Sequence, residues 1–400
     1  MGVSLLPCDK GMTMAIRNRF AEMLPEIVEW RHDIHAHPEL MFETHRTAAL
    51  VAEKLKAFGC DEVVTGIGRT GVVGVIRGRS RGAGRCVGLR ADMDALPIEE
   101  ATGLPHASTV SGAMHACGHD GHTAMLLGAA KYLCETRAFA GTCVVIFQPA
   151  EEGGGGGREM VQDGLMERFG IDEVYGMHNW PGIPTGQFAI RPGPFFAAAD
   201  LLQIDITGRG GHAAKPHQTV DATLVASHVV TALQSVVSRN VDPVEQAVMT
   251  ISALHTDSTA FNVIAQKAVL KGTVRTLKPE VQDLCEARIR ALAASVAEGF
   301  GARAEVTYKR NYPVMVNAET ETGFAAEAAA AVSGACAESP LIMGGEDFAF
   351  MLNARPGAYI LVGNGDTAMV HTADYDFNDE AIPAGCSWFA EIVERRLPAA

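Results

Sequence analysis

The sequence predicts an α/β protein in which a main domain, built on a mixed, mostly parallel sheet, is interrupted by an inserted ferredoxin-like α+β domain. Three observations carry this. Strand-type and helix-type segments alternate through the first part of the chain, as a parallel sheet with crossover helices requires. One of the strands, Thr142 to Phe147, is a continuous apolar run, the pattern of a strand buried on both faces. From Asp200 to about Tyr308 the order becomes strand, helix, strand, strand, helix, strand, which is the split βαββαβ pattern.

Residues 14–33 carry apolar side chains at helical spacing (Met14, Phe20, Leu24, Ile27, Val28). A second helix runs from about Thr44 to Phe58, and Gly59 stops it. Short β-type runs come next at Gly71 to Ile76 and Cys86 to Arg90, then a helix of small and apolar residues from Thr123 to Leu133. Beyond Thr142 to Phe147, another short strand, Val174 to Met177, ends at His178. Arg191-Pro192-Gly193-Pro194 reads as a linker. The inserted segment is expected to place strands at Leu201 to Thr207, Ala247 to Ala253, Lys267 to Thr276 and Ala304 to Lys309. Its helices are expected at Val220 to Val237 and Pro279 to Ala297. The boundaries are therefore 1–190 for the first segment of the main domain, 191–310 for the insertion and 311–400 for the second segment.

A chain of 400 residues exceeds one ordinary core, which agrees with two domains. A net charge of −14 argues against a nucleic-acid partner, which would want a basic face. No apolar run reaches the about 18 residues of a membrane span. The opening MGVSLLPCDKGM lacks the basic start and long apolar stretch of a secretory signal, and Leu6 stands where a myristoylation motif wants Ser or Thr. Nine cysteines, an odd number without framework spacing, fit a reducing, cytoplasmic compartment.

The chemistry concentrates in four clusters: His115-Ala116-Cys117-Gly118-His119-Asp120-Gly121-His122, Gln148-Pro149-Ala150-Glu151-Glu152, Gly176-Met177-His178-Asn179-Trp180-Pro181 and Val370-His371-Thr372-Ala373-Asp374. The second and third lie just after apolar runs, where open α/β sheets place their sites, and the first lies on a glycine-containing turn before a helix. A thiol and an imidazole two residues apart, with a glycine between them to bend the backbone, suit zinc, and also manganese, cobalt or nickel when carboxylates complete the shell. Taken alone, the same Cys-x-His also fits a redox thiol or a helix-capping turn. Two adjacent carboxylates at a strand end repel unless a cation offsets them. One can bind metal while its neighbour holds a water and moves its proton; taken alone, the pair also fits a solvated loop. His178 and His371, each by itself, fit a structural role equally. Asp92 and Asp94 lie just after a β-type run and are positioned to hydrogen-bond a ligand imidazole.

Further segments carry a resemblance in order along the chain: Trp30-Arg31-His32-Asp33-Ile34-His35-Ala36-His37-Pro38-Glu39-Leu40, Arg90 to Pro97, the clusters above with Phe147 to Gly157, Gly210-Gly211-His212-Ala213-Ala214-Lys215-Pro216-His217 and Gly344-Gly345-Glu346-Asp347-Phe348. From about residue 15 to 395 the chain resembles the zinc-peptidase family that contains aminoacylases and carboxypeptidases. The likeness is to its hippurate hydrolase, N-acyl-amino-acid amidohydrolase and indole-acetyl-amino-acid hydrolase branch. The resemblance implies two divalent metal ions (Zn, Mn, Co or Ni) ligated by Cys117, His119, Glu152, His178 and His371, with Cys117 where many relatives carry a bridging Asp. It implies Glu151 as general base, Asp94 beside it in the catalytic group, and His212 as an oxyanion stabiliser reaching an active site, commonly the partner subunit's. Asn262 and Arg275 would bind the substrate carboxylate. The main domain would be catalytic, and the insertion a lid that also dimerises, in a homodimer or homotetramer. Met41 replaces a more usual glycine, and the first dozen residues have no family counterpart.

The expected activity is metal-dependent hydrolysis of N-acyl-amino acids such as hippurate. A dipeptidase, a carboxypeptidase or an N-acetyl-diaminopimelate deacetylase on the same scaffold is the alternative. A non-catalytic metal-binding protein would have no need of the spare carboxylate, and a thiol enzyme using Cys117 would survive chelation.

Overall fold

A computed structural model describes residues 10–82 and 84–399. The expectations for residues 1–9 (no signal segment, no myristoylation motif, Cys8, and most of the extension without a family counterpart) lie outside the described residues. The chain divides into two compact units: Met1–Gly193 with Val316–Pro340 and Asp347–Ala400, and Pro194–Met315 with Leu341–Glu346.

The first unit is organised by an eight-stranded sheet. In chain order its early elements are α1 (Lys10–Ala36), α2 (His45–Phe58), β1 (Glu62–Ile67), β2 (Gly71–Arg77), β3 (Cys86–Asp92), α3 (His119–Thr136), β4 (Thr142–Gln148), β5 (Glu173–Pro181) and β6 (Phe188–Ile190). The strand order is β1, β2, β4, β3, β5, Gly357–Gly365, β6, Cys336–Glu338. The neighbours β4–β3, β3–β5 and β5 with 357–365 run parallel. The β1–β2 and β2–β4 pairs and the pairing of 357–365 with β6 run antiparallel, so the sheet is mixed. β3, β4 and β5 thus lie side by side in one direction and end on one edge, where the segments leaving them converge.

Local sequence explains most of these elements. In β4 only Thr142 keeps some exposure, which is why that strand reads as an apolar run, and all seven residues of β3 are buried, Arg90 and Asp92 included. α2 turns Ala48, Val51, Ala52 and Leu55 inward and ends where Gly59 takes a φ of 86°. α3 is buried from His119 through Ala130, apolar on nearly every side, and packs against α1, α2 and the helix Ile382–Arg396.

Three boundaries differ from expectation. α3 starts at His119 rather than Thr123, so His119 to His122 form its first turn while Cys117 and Gly118 lie on the turn before it. β5 continues through His178 to Pro181, paired with 357–365, so His178 lies within the strand. β1 was not anticipated because its outer positions are exposed and it lacks an apolar run. Met41, where a glycine is more usual, has a φ of 53°, the left-handed conformation that glycine adopts without penalty.

The second unit holds a four-stranded antiparallel sheet in the order Ala247–Thr256, Lys267–Thr276, Ala198–Thr207, Arg303–Tyr312, with the helices Ala222–Asn240 and Pro279–Gly299. With the strands numbered along the chain this order is 2-3-1-4, the ferredoxin-like arrangement. Leu202, Ile204 and Ile206 point inward from the central strand to Val225, Val229 and Leu233 of the first helix and Cys285 and Ile289 of the second. The first helix begins at Ala222 rather than Val220 because Asp221 caps it, its Oδ1 accepting from Thr223 N at 2.9 Å and Leu224 N at 3.3 Å. The expected linker at residues 191–194 runs directly into a short strand, Gly193–Phe196.

Candidate metal centre

The edge at which β3, β4 and β5 end collects one polar cluster. Cys117 Sγ lies 3.3 Å from His178 Nε2 and 3.3 Å from His371 Nε2. His371 Nε2 is also 3.3 Å from Glu152 Oε1, and His119 Nε2 is 4.0 Å from the same oxygen. Two donor triads result, Cys117–His119–His178 and Cys117–Glu152–His371, with Cys117 common to both; a third group joins His119 to Glu151 and Glu152. All five residues expected as ligands, and Glu151, therefore meet at one place.

The backbone makes this possible at three points. Gly118, the N-cap of α3, has a φ of 84°, and a Cβ there would come within 2.3 Å of Asn179 Nδ2 and 2.4 Å of the Tyr375 hydroxyl. Ala150 and His371 take φ values of 53° and 67°, unfavourable for residues with a Cβ. Hydrogen bonds from Ala150 N to Met41 O (3.1 Å) and from His371 N to Ala116 O (2.7 Å) hold them there.

Two of the imidazoles are oriented by their other nitrogen. His119 donates Nδ1–H to the Asp94 carbonyl at 2.8 Å and His178 donates Nδ1–H to the Asn179 carbonyl at 2.5 Å, which leaves both Nε2 atoms facing the cluster as acceptors. The Asp94 carboxylate accepts from the amides of Glu151 (2.8 Å) and Glu152 (3.1 Å), so one buried side chain fixes the backbone under both glutamates. Asp94 thus meets His119 through its carbonyl, and its carboxylate serves the Glu-Glu turn.

The donor set fits divalent cations. Burial pushes the Cys117 thiol well above its ordinary pKa, and Glu152, Glu151 and Asp92 push it further. Burial pulls His119 down, but Asp92, Asp94 and Glu152 outweigh it and raise the imidazole to about 10. Glu152 Oε1 and His119 Nε2 are buried without a hydrogen-bond partner. A thiol and carboxylates at this spacing are mutually unfavourable until positive charge is placed between them, and buried unpartnered donor atoms are what a bound cation satisfies.

A further geometrically possible group, Asp92–His119–His122, is explained by protein contacts alone. His122 Nε2 accepts from Asn179 N at 2.9 Å, so its proton sits on Nδ1 and is donated to Asp92 Oδ1 at 2.6 Å. Asp92 Oδ2 is taken by Arg90 at 2.6 Å. Arg90, fully buried, also reaches Gln148 (2.9 Å) and Asp347 (3.1 Å), and Asp347 accepts from Gly157 N at 2.8 Å. Asn179 donates to the Cys117 carbonyl at 2.7 Å and accepts from the Tyr375 hydroxyl at 2.6 Å. Arg90, His122, Asn179, Asp347 and Tyr375 were not among the expected site residues.

Behind the cluster, α1 clamps the start of α3. Arg31 NH1 is 3.1 Å and His35 Nδ1 2.8 Å from Asp120 Oδ2, all fully buried. Burial lowers His35, but Asp120 and then Glu100 outweigh it and raise it to about 9. A raised folded-state pKa means that this contribution to stability is complete below about 6.5, the unfolded value, and is lost as pH rises through about 9. The stability difference between the native chain and His35→Gln should therefore shrink by on the order of 3 kcal/mol across that window. Denaturant titrations in steps of pH check this, and a difference independent of pH would contradict it.

The remaining expected residues lie in the second unit. His212 is exposed on a two-stranded ribbon, Gly211–His212 with Val263–Ile264, and its Nδ1 accepts from Ala214 N at 3.1 Å. Asn262 directly precedes Val263, the ribbon partner of His212, and its carbonyl accepts from Ala213 N at 3.0 Å. Arg275 is half-buried on Lys267–Thr276, opposite Ala199 and Val248.

A thiol, imidazoles and carboxylates gathered at one edge of an α/β sheet form a donor cluster of the metal-binding class. Residues 88–395 match the peptidase family M20/M25/M40, and the chain belongs to that family. It is 40% identical over 386 residues to the hippurate hydrolase of Campylobacter jejuni, covering 94% of this chain and 99% of that one. It is 37% identical over 367 residues to the N-acetylcysteine deacetylase of Bacillus subtilis, covering 92% and 95%. Among solved structures it resembles the Bacillus subtilis YXEP protein, a dinuclear metal binding peptidase from the M20 family, with a TM-score of 0.81, 33% identity and coverage of 95% and 100%. No helix among the described residues is long and apolar enough to cross a membrane.

Proposed function

We propose that the chain hydrolyses the amide bond of N-acyl-amino acids of the hippurate type, releasing a carboxylic acid and a free amino acid. The observation that carries this is Cys117 shared between two donor triads, with the buried carboxylate of Glu151 beside them. Two divalent ions (Zn, Mn, Co or Ni) held by Cys117, His119, Glu152, His178 and His371 would supply Lewis acidity toward the amide carbonyl and lower the pKa of the attacking water. Glu151 accepts the proton of that water and delivers it to the leaving nitrogen. Asp94 keeps Glu151 and Glu152 aimed through their amides. In the inserted segment, proposed as a lid that also dimerises, His212 stabilises the oxyanion from a partner subunit, while Asn262 and Arg275 receive the substrate carboxylate. A reducing, cytoplasmic setting is part of the same reading and rests on nine cysteines without framework spacing.

Deacetylation of N-acetyl-amino acids is the second reading, favoured by the likeness to the N-acetylcysteine deacetylase. Parallel rates on hippurate, N-acetylcysteine, N-acetyl-diaminopimelate and simple dipeptides separate the readings. The proposal expects kcat/KM to be highest for hippurate. A clear preference for either acetylated substrate or for a free-amino dipeptide would replace it with the corresponding alternative.

A further inference from the structure

Away from the metal centre, two cysteines remote in sequence face each other. Cys60 Sγ and Cys134 Sγ are 3.6 Å apart, at thiol–thiol contact. Cys60 comes directly after Gly59, the left-handed residue that ends α2, and Cys134 lies in the last turn of α3. The first is partly exposed and the second is buried.

The arrangement is held from both sides. Arg137, three residues beyond Cys134, donates to the Gly59 carbonyl at 2.8 Å and to Asp61 Oδ2 at 2.7 Å, gripping the chain immediately before and after Cys60. The Cys60 amide donates to the Leu55 carbonyl at 3.1 Å. Gly74 lies beneath the thiol, where a Cβ would lie 3.5 Å from Cys60 Sγ, in ordinary contact, and 2.9 Å from Val145 Cγ2. The Cys60 thiol and nearby Arg137 favour a thiolate at Cys134 and hold its pKa below the ordinary value, against the opposing effect of burial.

We propose that Cys60 and Cys134 form a redox-active dithiol that closes reversibly to an intramolecular disulfide joining α2 to α3. The oxidant is a peroxide. One thiolate attacks a peroxide oxygen and releases water on protonation, leaving a sulfenic acid. The second thiol then displaces the hydroxyl as a second water, and the S–S bond forms. Sulfur is oxidised, the peroxide is reduced, and a dithiol reductant restores both thiols by exchange. Contact distance and the Arg137 grip remove the positional search that a disulfide across two helices otherwise requires.

The test uses the metal-loaded protein, exposed to limiting hydrogen peroxide, then alkylated, digested and mapped by mass spectrometry without reduction. The expected product is one cross-linked peptide pair containing Cys60 and Cys134, lighter than the two thiol peptides by the mass of two hydrogens. It should disappear on dithiothreitol treatment and be missing in Cys60→Ser and in Cys134→Ser. Arg137→Gln should form it more slowly than the native chain, with an unchanged circular dichroism spectrum. Recovery of Cys60 and Cys134 as separately alkylated peptides while other cysteines are oxidised would overturn the proposal, as would their conversion to separate sulfinic acids.

Discussion

Glu151→Gln should keep the full metal content of the native chain and lose about 1,000-fold in kcat, the middle of the range that a positioned general base contributes. The substitution is nearly isosteric. The Glu151 amide that donates to Asp94 is untouched, and an amide oxygen can still accept the 3.4 Å contact from Asp347 N. What disappears is the ability to take a proton. Glu151 is also close enough to His119 and Glu152 to belong to the donor cluster, so metal analysis must accompany the kinetics. Lost turnover with metal retained assigns the proton-transfer role. Near-normal turnover would remove Glu151 from the mechanism, and lost metal would make it a ligand.

Cys117→Ala should weaken metal binding more than any other single ligand change, because Cys117 is the one member common to both triads. Even outer-shell substitutions cost up to about 100-fold in metal affinity, so removal of a shared ligand should exceed that and abolish turnover with it. The same variant separates the metal reading from a thiol nucleophile. If Cys117 attacked the substrate itself, activity would vanish while metal content stayed native. The environment of the thiol speaks against that role: without a cation beside it, burial and three neighbouring carboxylates disfavour the thiolate, the reverse of an activated cysteine. Elemental analysis after dialysis, alongside activity, distinguishes the outcomes.

The parts of the site legible in the sequence were those in which chemistry and local pattern coincide. Glu151, Glu152 and His178 sit at or beside the apolar runs of β4 and β5, which lie on either side of β3 and run parallel to it, and Cys117 sits on the glycine turn that opens α3. The Cys-Gly-His spacing and the resemblance singled out His119 and gave no role to His122, whose ring lies 5.4 Å away. The difference is that the Asn179 amide occupies Nε2 of His122, a contact across 57 positions. Asp347 and Tyr375 act through similarly remote hydrogen bonds: Asp347 lies in a motif quoted for the resemblance and Tyr375 directly follows the His371 cluster, but neither position shows its partner. The Trp30 to Leu40 segment was recognisable only as a family motif. Its physical content, Arg31 and His35 holding Asp120 at the start of α3, needed the packing of α1 on α3. In the second unit the two periodicities displayed the βαββαβ order directly, because one face of the sheet is covered and the other is not. The roles of His212, Asn262 and Arg275 rest on resemblance.

The most direct test of the central claim is release of glycine from hippurate by the purified protein as isolated, after exhaustive chelation, and after Zn or Mn is returned. A metal-dependent amidohydrolase predicts release that chelation removes and added metal restores, with Glu151→Gln inactive throughout. Release that persists after complete metal removal would contradict the account.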